Sequence, residues 1–445
     1  MAGSGPPTLR RRSRAGRFVA GHDVLHFRHN RAYTSATVNE PTPAAIGPVP
    51  TQERITVIDC LRGAALLGIL IANMRGFNAP LKAYEQTSLL WTWMPDRVMQ
   101  AIVDWLVSGK FITIFATLFG VGFAIQMDRA AARGLGPWFY LRRMAGLLLI
   151  GTLHAFGVWW GDILMSYAVC GVLLPLFRNL RQKTLLVWAH ITYWFLNVVV
   201  VVFFVVTRFS PEKPPESEGR TIQELIRIYS TGTYREILSA RTEEWLGVNG
   251  MIIFLTRIIG LFLFGLYIWR QGYLARPAEH LDWWRRAQRL GLPIGLIGNA
   301  IGVAIMLIYD PSPSKLTVPI IAFFTVQSAA IPALSLGYAA TVVLLWQDPV
   351  WQRRLQPFSY VGRMALTNYL TQSIVCTTIF YSYGLGLYGR VGPLGDFFLA
   401  IVIYGLQVPL SKWWLSRYRY GPAEAAWRWM TYGSAAVGRQ VFQPN

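Results

Sequence analysis

Residues 57–73 read VIDCLRGAALLGILIAN. The stretch is a continuous apolar run, entered through Asp59 and Arg62 and left through Asn73. Together with the residues on either side it is long enough to cross a bilayer as a helix. Asp59 and Arg62 are three positions apart and share a helix face. Asn73 lies about three helical turns beyond Arg62 and returns to that face. A polar stripe is therefore expected along one side of the first helix. Ala64, Gly68 and Ala72, spaced by four, form a second stripe of small residues suited to close helix packing.

The pattern recurs along the chain. Of the 445 residues, 53% are hydrophobic and only 14% charged, and the mean hydropathy is +0.35. Lipid offers no partner to backbone polar groups, so only helices or closed barrels span it. Long continuous apolar runs, rather than short alternating strands, point to an all-α polytopic membrane bundle. About ten spans are expected, near 56–75, 111–128, 144–160, 162–177, 184–207, 250–269, 290–309, 318–346, 364–383 and 397–415. The eighth is long for one straight crossing, and Pro319 and Pro332 are candidates to kink or shorten it.

Lys and Arg concentrate in 1–55, 129–143, 178–183, 270–289, 347–363 and 412–445, and thin out in the alternate connections. By the positive-inside rule both termini are expected in the cytoplasm. That orientation accounts for the net charge of +20 without nucleic acid. The basic stretch 1–53 lacks the apolar core of a secretory signal and reads as a disordered tail. Its His22, His26 and His29 have helical spacing, but metal binding there is a weak reading. Residues 54–207 form an N-terminal set of membrane helices and 250–435 a C-terminal membrane domain, with 436–445 a short tail. Between them, 208–249 is expected outside the membrane as an amphipathic hairpin. Thr221-x-x-Glu224 and Thr233-x-x-Glu236 are capping boxes that each open a short helix. Cys60, Cys170 and Cys376 fall in apolar runs and read as small buried residues.

Under this topology the intramembrane polar residues fall into two layers. Asp59, Arg62, Arg363, Asn368 and Gln372 are on the inner side. Asn73, Arg75, His154, Asp162 and Arg257 are on the outer side. His154 is suited to general-base or proton-relay work, though a histidine bonded to a backbone carbonyl fits as well. Asp162 is placed to orient it, or simply to cap the next helix. Arg257 needs a buried partner or an anion. Asp59 and Arg62 also read as an ion pair anchoring a helix start. Nucleophile-elbow, P-loop, dinucleotide and zinc motifs are missing from the sequence.

The stretches RITVIDCLRGAALLGILIANMRGF (54–77), KFITIFATLFGVGFAIQ (110–126), GTLHAFGVWWGDILMSYAVCG (151–171), GRMALTNYLTQSIVCTTIF (362–380) and YRYGPAEAAWRWMTYG (418–433) together resemble the YeiB-like bacterial membrane proteins, a family with a domain of unknown function. The likeness spans about residues 54–435. That family is grouped with transmembrane acyltransferases, including heparan-glucosaminide N-acetyltransferase. Their shared Asp-x-x-Arg-Gly start is matched by Asp59, Arg62 and Gly63. The heparan enzyme carries an asparagine near the end of that helix, resembling Asn73, and a catalytic histidine soon after it. Here no histidine occurs between Asn73 and His154, so His154 would have to serve from a different helix.

The resemblance implies transfer of an acyl group from cytoplasmic acyl-CoA to an envelope glycan or lipid. His154, Asp162 and Asn73 would be catalytic; Asp59, Arg62, Arg257, Arg363 and Asn368 would bind substrate. Acyl-CoA would be a donor substrate, with no tightly bound cofactor or metal and the lipid bilayer as surroundings. A transporter for a small metabolite or lipid and a non-catalytic membrane partner are the alternative classes. The sequence does not fix the oligomeric state.

Overall fold

Helix follows helix through a computed structural model that describes residues 56–80, 90–132, 138–208, 220–249, 252–309 and 317–432, with Gly3 and Ala83. The tail histidines and residues 436–445 lie outside the described residues. The described helices belong to one unit, Ala45–Asn445.

The quoted stretch forms α1 (Thr56–Asn78). It is the central helix: 61% of its apolar window is buried, against 22% in the peripheral helix over 182–206. Its flat hydrophobic distribution explains this placement, because a helix apolar all round is enclosed by others. α2 (Met94–Leu106) and α3 (Lys110–Ala132) follow, separated by a break at 107–109 where Gly109 takes φ +82°. α2 falls in a connection between two expected spans, and it is amphipathic, with Asp96 buried and Trp93, Val98 and Ile102 exposed beside or along it.

Next come α4 (Trp138–Gly157), α5 (Leu164–Phe177) and α6 (Gln182–Arg208). Two short helices, α7 (Ile222–Thr231) and α8 (Tyr234–Asn249), follow the two capping boxes. Thr221 Oγ accepts from Glu224 N–H at 3.2 Å, and Thr233 N–H donates to Glu236 at 2.7 Å.

The C-terminal half contains α9 (Ile252–Arg270), α10 (Leu281–Tyr309), α11 (Val318–Leu345), α12 (Pro349–Arg363), α13 (Ala365–Phe380), α14 (Pro393–Leu415) and α15 (Pro422–Tyr432). α11 is one uninterrupted helix despite its prolines. Pro319 sits in the first turn, where its missing N–H is not needed. α12 and α15 occupy segments that hydropathy alone reads as basic connections.

Among the described residues, six stretches are long and apolar enough to cross a membrane: 56–78, 94–132, 182–206, 277–309, 318–345 and 393–415. α4, α5, α9 and α13, where four further spans are expected, are not among them. Leu149, Leu153 and Leu176 on α4 and α5 are exposed, as are Ile294, Ile297, Val402 and Leu406 on α10 and α14. An outward apolar surface of this kind fits lipid rather than water.

α1 packs on α12, α3, α14 and α13. Its contact with α12 depends on two glycines. A Cβ on Gly63 would collide with the Phe358 carbonyl oxygen, and one on Gly362 with that of Asp59. The backbones therefore touch where the Asp-x-x-Arg-Gly segment meets the Gly-Arg step of α12, and this sets Arg62 and Arg363 on the same end of the bundle.

Candidate functional site

A cavity of about 450 Å³ opens at that end. α1 contributes Asp59, Arg62, Leu66 and Ile69, a lining about 15 Å long at helical rise. α3 contributes Phe115, Phe119, Gln126, Asp128 and Arg129. Arg143, Met144 and Leu147 come from α4, Arg363 from α12, and Glu424, Trp427 and Arg428 from α15. The far wall includes Ile163, Leu164, Tyr167 and Tyr369.

Charge is concentrated at the mouth. Five arginines (Arg62, Arg129, Arg143, Arg363 and Arg428) line the cavity with three carboxylates (Asp59, Asp128 and Glu424). Each carboxylate already has a donor. Asp59 pairs with Arg62 at 3.2 Å, and Asp128 accepts from the Trp269 indole N–H at 2.8 Å. Glu424 accepts from Leu366 N–H at 2.7 Å and from the Thr367 hydroxyl at 2.6 Å, so it caps α13 from another helix. Burial nevertheless pushes its carboxyl above the usual range. The Arg143 guanidinium stacks 3.5 Å over Trp427, and Arg428 lies 4.3 Å over Tyr420. The mouth thus has an excess of cationic side chains with planar donor groups suited to phosphate or carboxylate. Deeper in, the walls are apolar and aromatic.

The second group lies past the far wall. His154 Nδ1 is 2.8 Å from Asp162 Oδ2, and both residues are 3% exposed. The other carboxylate oxygen, Oδ1, accepts from Met165 N–H at 2.7 Å in the first turn of α5, whose N-cap position is Ile163. Asp162 therefore satisfies a first-turn amide and pairs with the histidine at the same time. A carboxylate that accepts from Nδ1–H leaves Nε2 as the basic nitrogen. Nε2 is buried without a hydrogen-bond partner. Tyr369 connects this pair to the cavity: it lines the cavity, and its ring centroid is 5.2 Å from that of His154.

The structure brings Asp59, Arg62 and Arg363 to the cavity mouth and joins His154 to Asp162 near its far wall. Asn73 is half-buried and lies beyond Ile69, outside the lining. Asn368 donates to the Val361 carbonyl at 3.1 Å and to Ser411 Oγ at 3.0 Å, tying α13 to α12 and α14. Arg257 donates to Asn197 Oδ1 and Ser328 Oγ, both at 2.8 Å, between α6, α9 and α11. Asn73, Asn368 and Arg257 therefore do not share the cavity. Tyr369, Arg129, Arg143 and Arg428 were missed by the sequence reading. The arginines had entered it only as topological charge, and a tyrosine in an apolar helix ordinarily signals core.

At the opposite end, α7 and α8 close over the bundle. Tyr229 stacks on Tyr388 at 4.7 Å, Ser382 N–H donates to the Tyr229 carbonyl at 2.7 Å, and the buried Arg241 donates to the Phe156 carbonyl at 2.7 Å. Phe156 lies two residues beyond His154, so the hairpin covers the helix end that carries the histidine. No group of three or more metal-ligating side chains occurs among the described residues.

The family model "Protein of unknown function (DUF418)" matches residues 268–434, from the end of α9 through α15. Over 410 residues the chain is 35% identical to "Uncharacterized protein YxaH" of Bacillus subtilis, covering 87% of this chain and 97% of that one. The chain belongs to the YeiB-like DUF418 family. "Uncharacterized protein YeiB" of Escherichia coli is 27% identical over 404 residues, covering 86% of this chain and 97% of its own length. A 39.9 kDa protein from the amylase 3' region of Bacillus acidopullulyticus is 29% identical over 395 residues, with 86% and 96% covered. No solved structure matches the chain. In this family member, the matched region supplies Arg363, Tyr369, Glu424 and Arg428, whereas α1, α3 and α4 supply the opposing wall.

Proposed function

We propose that the protein is an acyltransferase of the bacterial inner membrane. It takes an acyl group from cytoplasmic acyl-CoA and passes it to a hydroxyl or amine of an envelope glycan or lipid. In this reading the chain crosses the membrane ten times, both termini are cytoplasmic, and the arginine-lined mouth faces the cytoplasm.

The polarity of the cavity carries the proposal. A cationic mouth leads to an apolar interior that ends at Tyr369 beside a histidine–carboxylate pair. That gradient suits a donor with a phosphate-bearing head and a thioester at the end of a long arm. Arg62, Arg143 and Arg363 would hold the phosphates, and the acyl group would lie toward Tyr369. His154 Nε2 would accept the proton of the acceptor as its oxygen or nitrogen attacks the thioester carbon. The C–S bond then breaks, and the departing thiolate takes that proton from the imidazolium. Asp162 would hold the imidazole in the required tautomer.

Calorimetry with acetyl-CoA and longer acyl-CoAs on detergent-purified protein tests this reading. Saturable binding, weakened on the order of ten-fold or more in Arg62→Ala and Arg363→Ala, is expected from loss of a charge-assisted contact. Absence of binding by folded protein would rule out the donor and turn attention to solute flux in vesicles.

A further inference from the structure

The cavity and the His154–Asp162 pair lie side by side, yet they do not share a surface. His154 is not among the lining residues, and its Nε2 is sealed. Tyr369 occupies the boundary. Tyr369 lines the cavity and its ring packs beside the imidazole, while its hydroxyl meets the Gly161 carbonyl at 3.5 Å and accepts from the Ile163 backbone N–H. A change of its rotamer would break these contacts and join the two compartments.

We infer that Tyr369 is a water barrier that makes the protein a transferase instead of a hydrolase, an inference that rests on the acyl-transfer reading above. A thioester beside an open histidine–carboxylate pair would react with water. The water oxygen would bond to the carbonyl carbon, the C–S bond would break, and the proton would pass through His154 to the thiolate, leaving a free acid and CoA. Water exclusion from reactive intermediates is a general requirement of transfer chemistry. In this chain the exclusion falls to the ring of Tyr369, the far-wall residue that packs beside the imidazole, and that ring moves aside when an acceptor arrives.

Two readouts on Tyr369→Ala, Tyr369→Leu and Tyr369→Phe test the inference. The first is modification of His154 by diethyl pyrocarbonate, mapped by mass spectrometry with His280 as internal reference. The second is thiol release from acetyl-CoA with no acceptor present. Tyr369→Ala is expected to raise both on the order of ten-fold or more. Tyr369→Leu, which keeps more of the apolar volume, should do so to a lesser degree. Tyr369→Phe should expose His154 far less than Tyr369→Ala does, because the ring forms most of the barrier.

His154 no more reactive in the folded Ala and Leu variants than in wild type overturns the barrier. So does a phenylalanine variant that opens His154 as far as alanine does. Opened His154 without thiol release, in a variant that still binds acetyl-CoA, overturns the role in water exclusion. Opened His154 with no acetyl-CoA binding by any variant keeps the barrier and defeats the acyl-transfer reading instead.

Discussion

Asp162 does two jobs with two oxygens, and this makes it the most informative single residue to change. Asp162→Asn keeps the shape but loses one acceptor. It is expected to destabilise by about 1–3 kcal/mol, the cost of leaving a buried donor unsatisfied, read as a lowered Tm in detergent. His154→Ala is expected to retain acyl-CoA affinity while transfer falls about 10²–10⁴-fold, the usual worth of a general base. Equal affinity with undiminished turnover would remove His154 from the chemistry. The pairing of His154 with Asp162 was readable from an eight-residue separation across a helix end. Tyr369 was not, because nothing local distinguishes a barrier ring from a packed one. Asn73 shares a helical face with Arg62, but the cavity stops at Ile69, and a face has no marker for where its cavity ends.

At the scale of elements, helix identity was more legible than helix role. The two capping boxes opened α7 and α8 as their spacing required, whereas α2, α12 and α15 were read as connections because their charged faces lower mean hydropathy. Two element-level outcomes are expected. In Gly63→Ala the new methyl meets the α12 backbone, so α1 and α12 must part at a cost of about 1–3 kcal/mol. Lower Tm should accompany weakened acyl-CoA binding; an unchanged Tm would show that the crossing is softer than its geometry implies.

The hairpin responds to pH through Glu244 on α8. Desolvation pushes its carboxyl up to about 7, against opposing effects of the Tyr229 hydroxyl, Arg241 and Arg220, with Glu243 adding to the rise. The folded state thus holds this proton more tightly than the unfolded one. Between about 4.5 and 7 the docked hairpin binds more protons, so its stability falls as pH rises through that window and levels off above it. Hydrogen exchange of α7–α8, corrected for intrinsic rates, should show docking loosening from pH 5 to about 7, and Glu244→Gln should flatten the dependence. A flat wild-type profile would show that Glu244 stays ionised throughout.

For the whole molecule, the proposed topology places the arginine mouth and the hairpin on opposite sides of a membrane. Cys60, Cys170 and Cys376 are free and buried, which gives a quiet background for single-cysteine labelling. Arg353→Cys on α12 is expected to react with a membrane-impermeant maleimide only after the inner membrane is opened. Glu243→Cys on α8 should react in cells whose inner membrane is intact. Labelling of both from one side would overturn the assignment of sides. The all-helical class was legible because apolar length alone dictates it. The cavity wall shared by α1, α3, α4, α5, α9, α12, α13 and α15 was not, since eight helices distant in sequence meet there only in three dimensions. Glu424 adds an order in time. The amides at the start of α13 are satisfied by a carboxylate some fifty-eight residues downstream, so a ribosome must finish almost the whole chain before the helix bearing Tyr369 gains its cap. A nascent or prematurely terminated chain would thus reach the bilayer with most of its helices present and the start of α13 still uncapped.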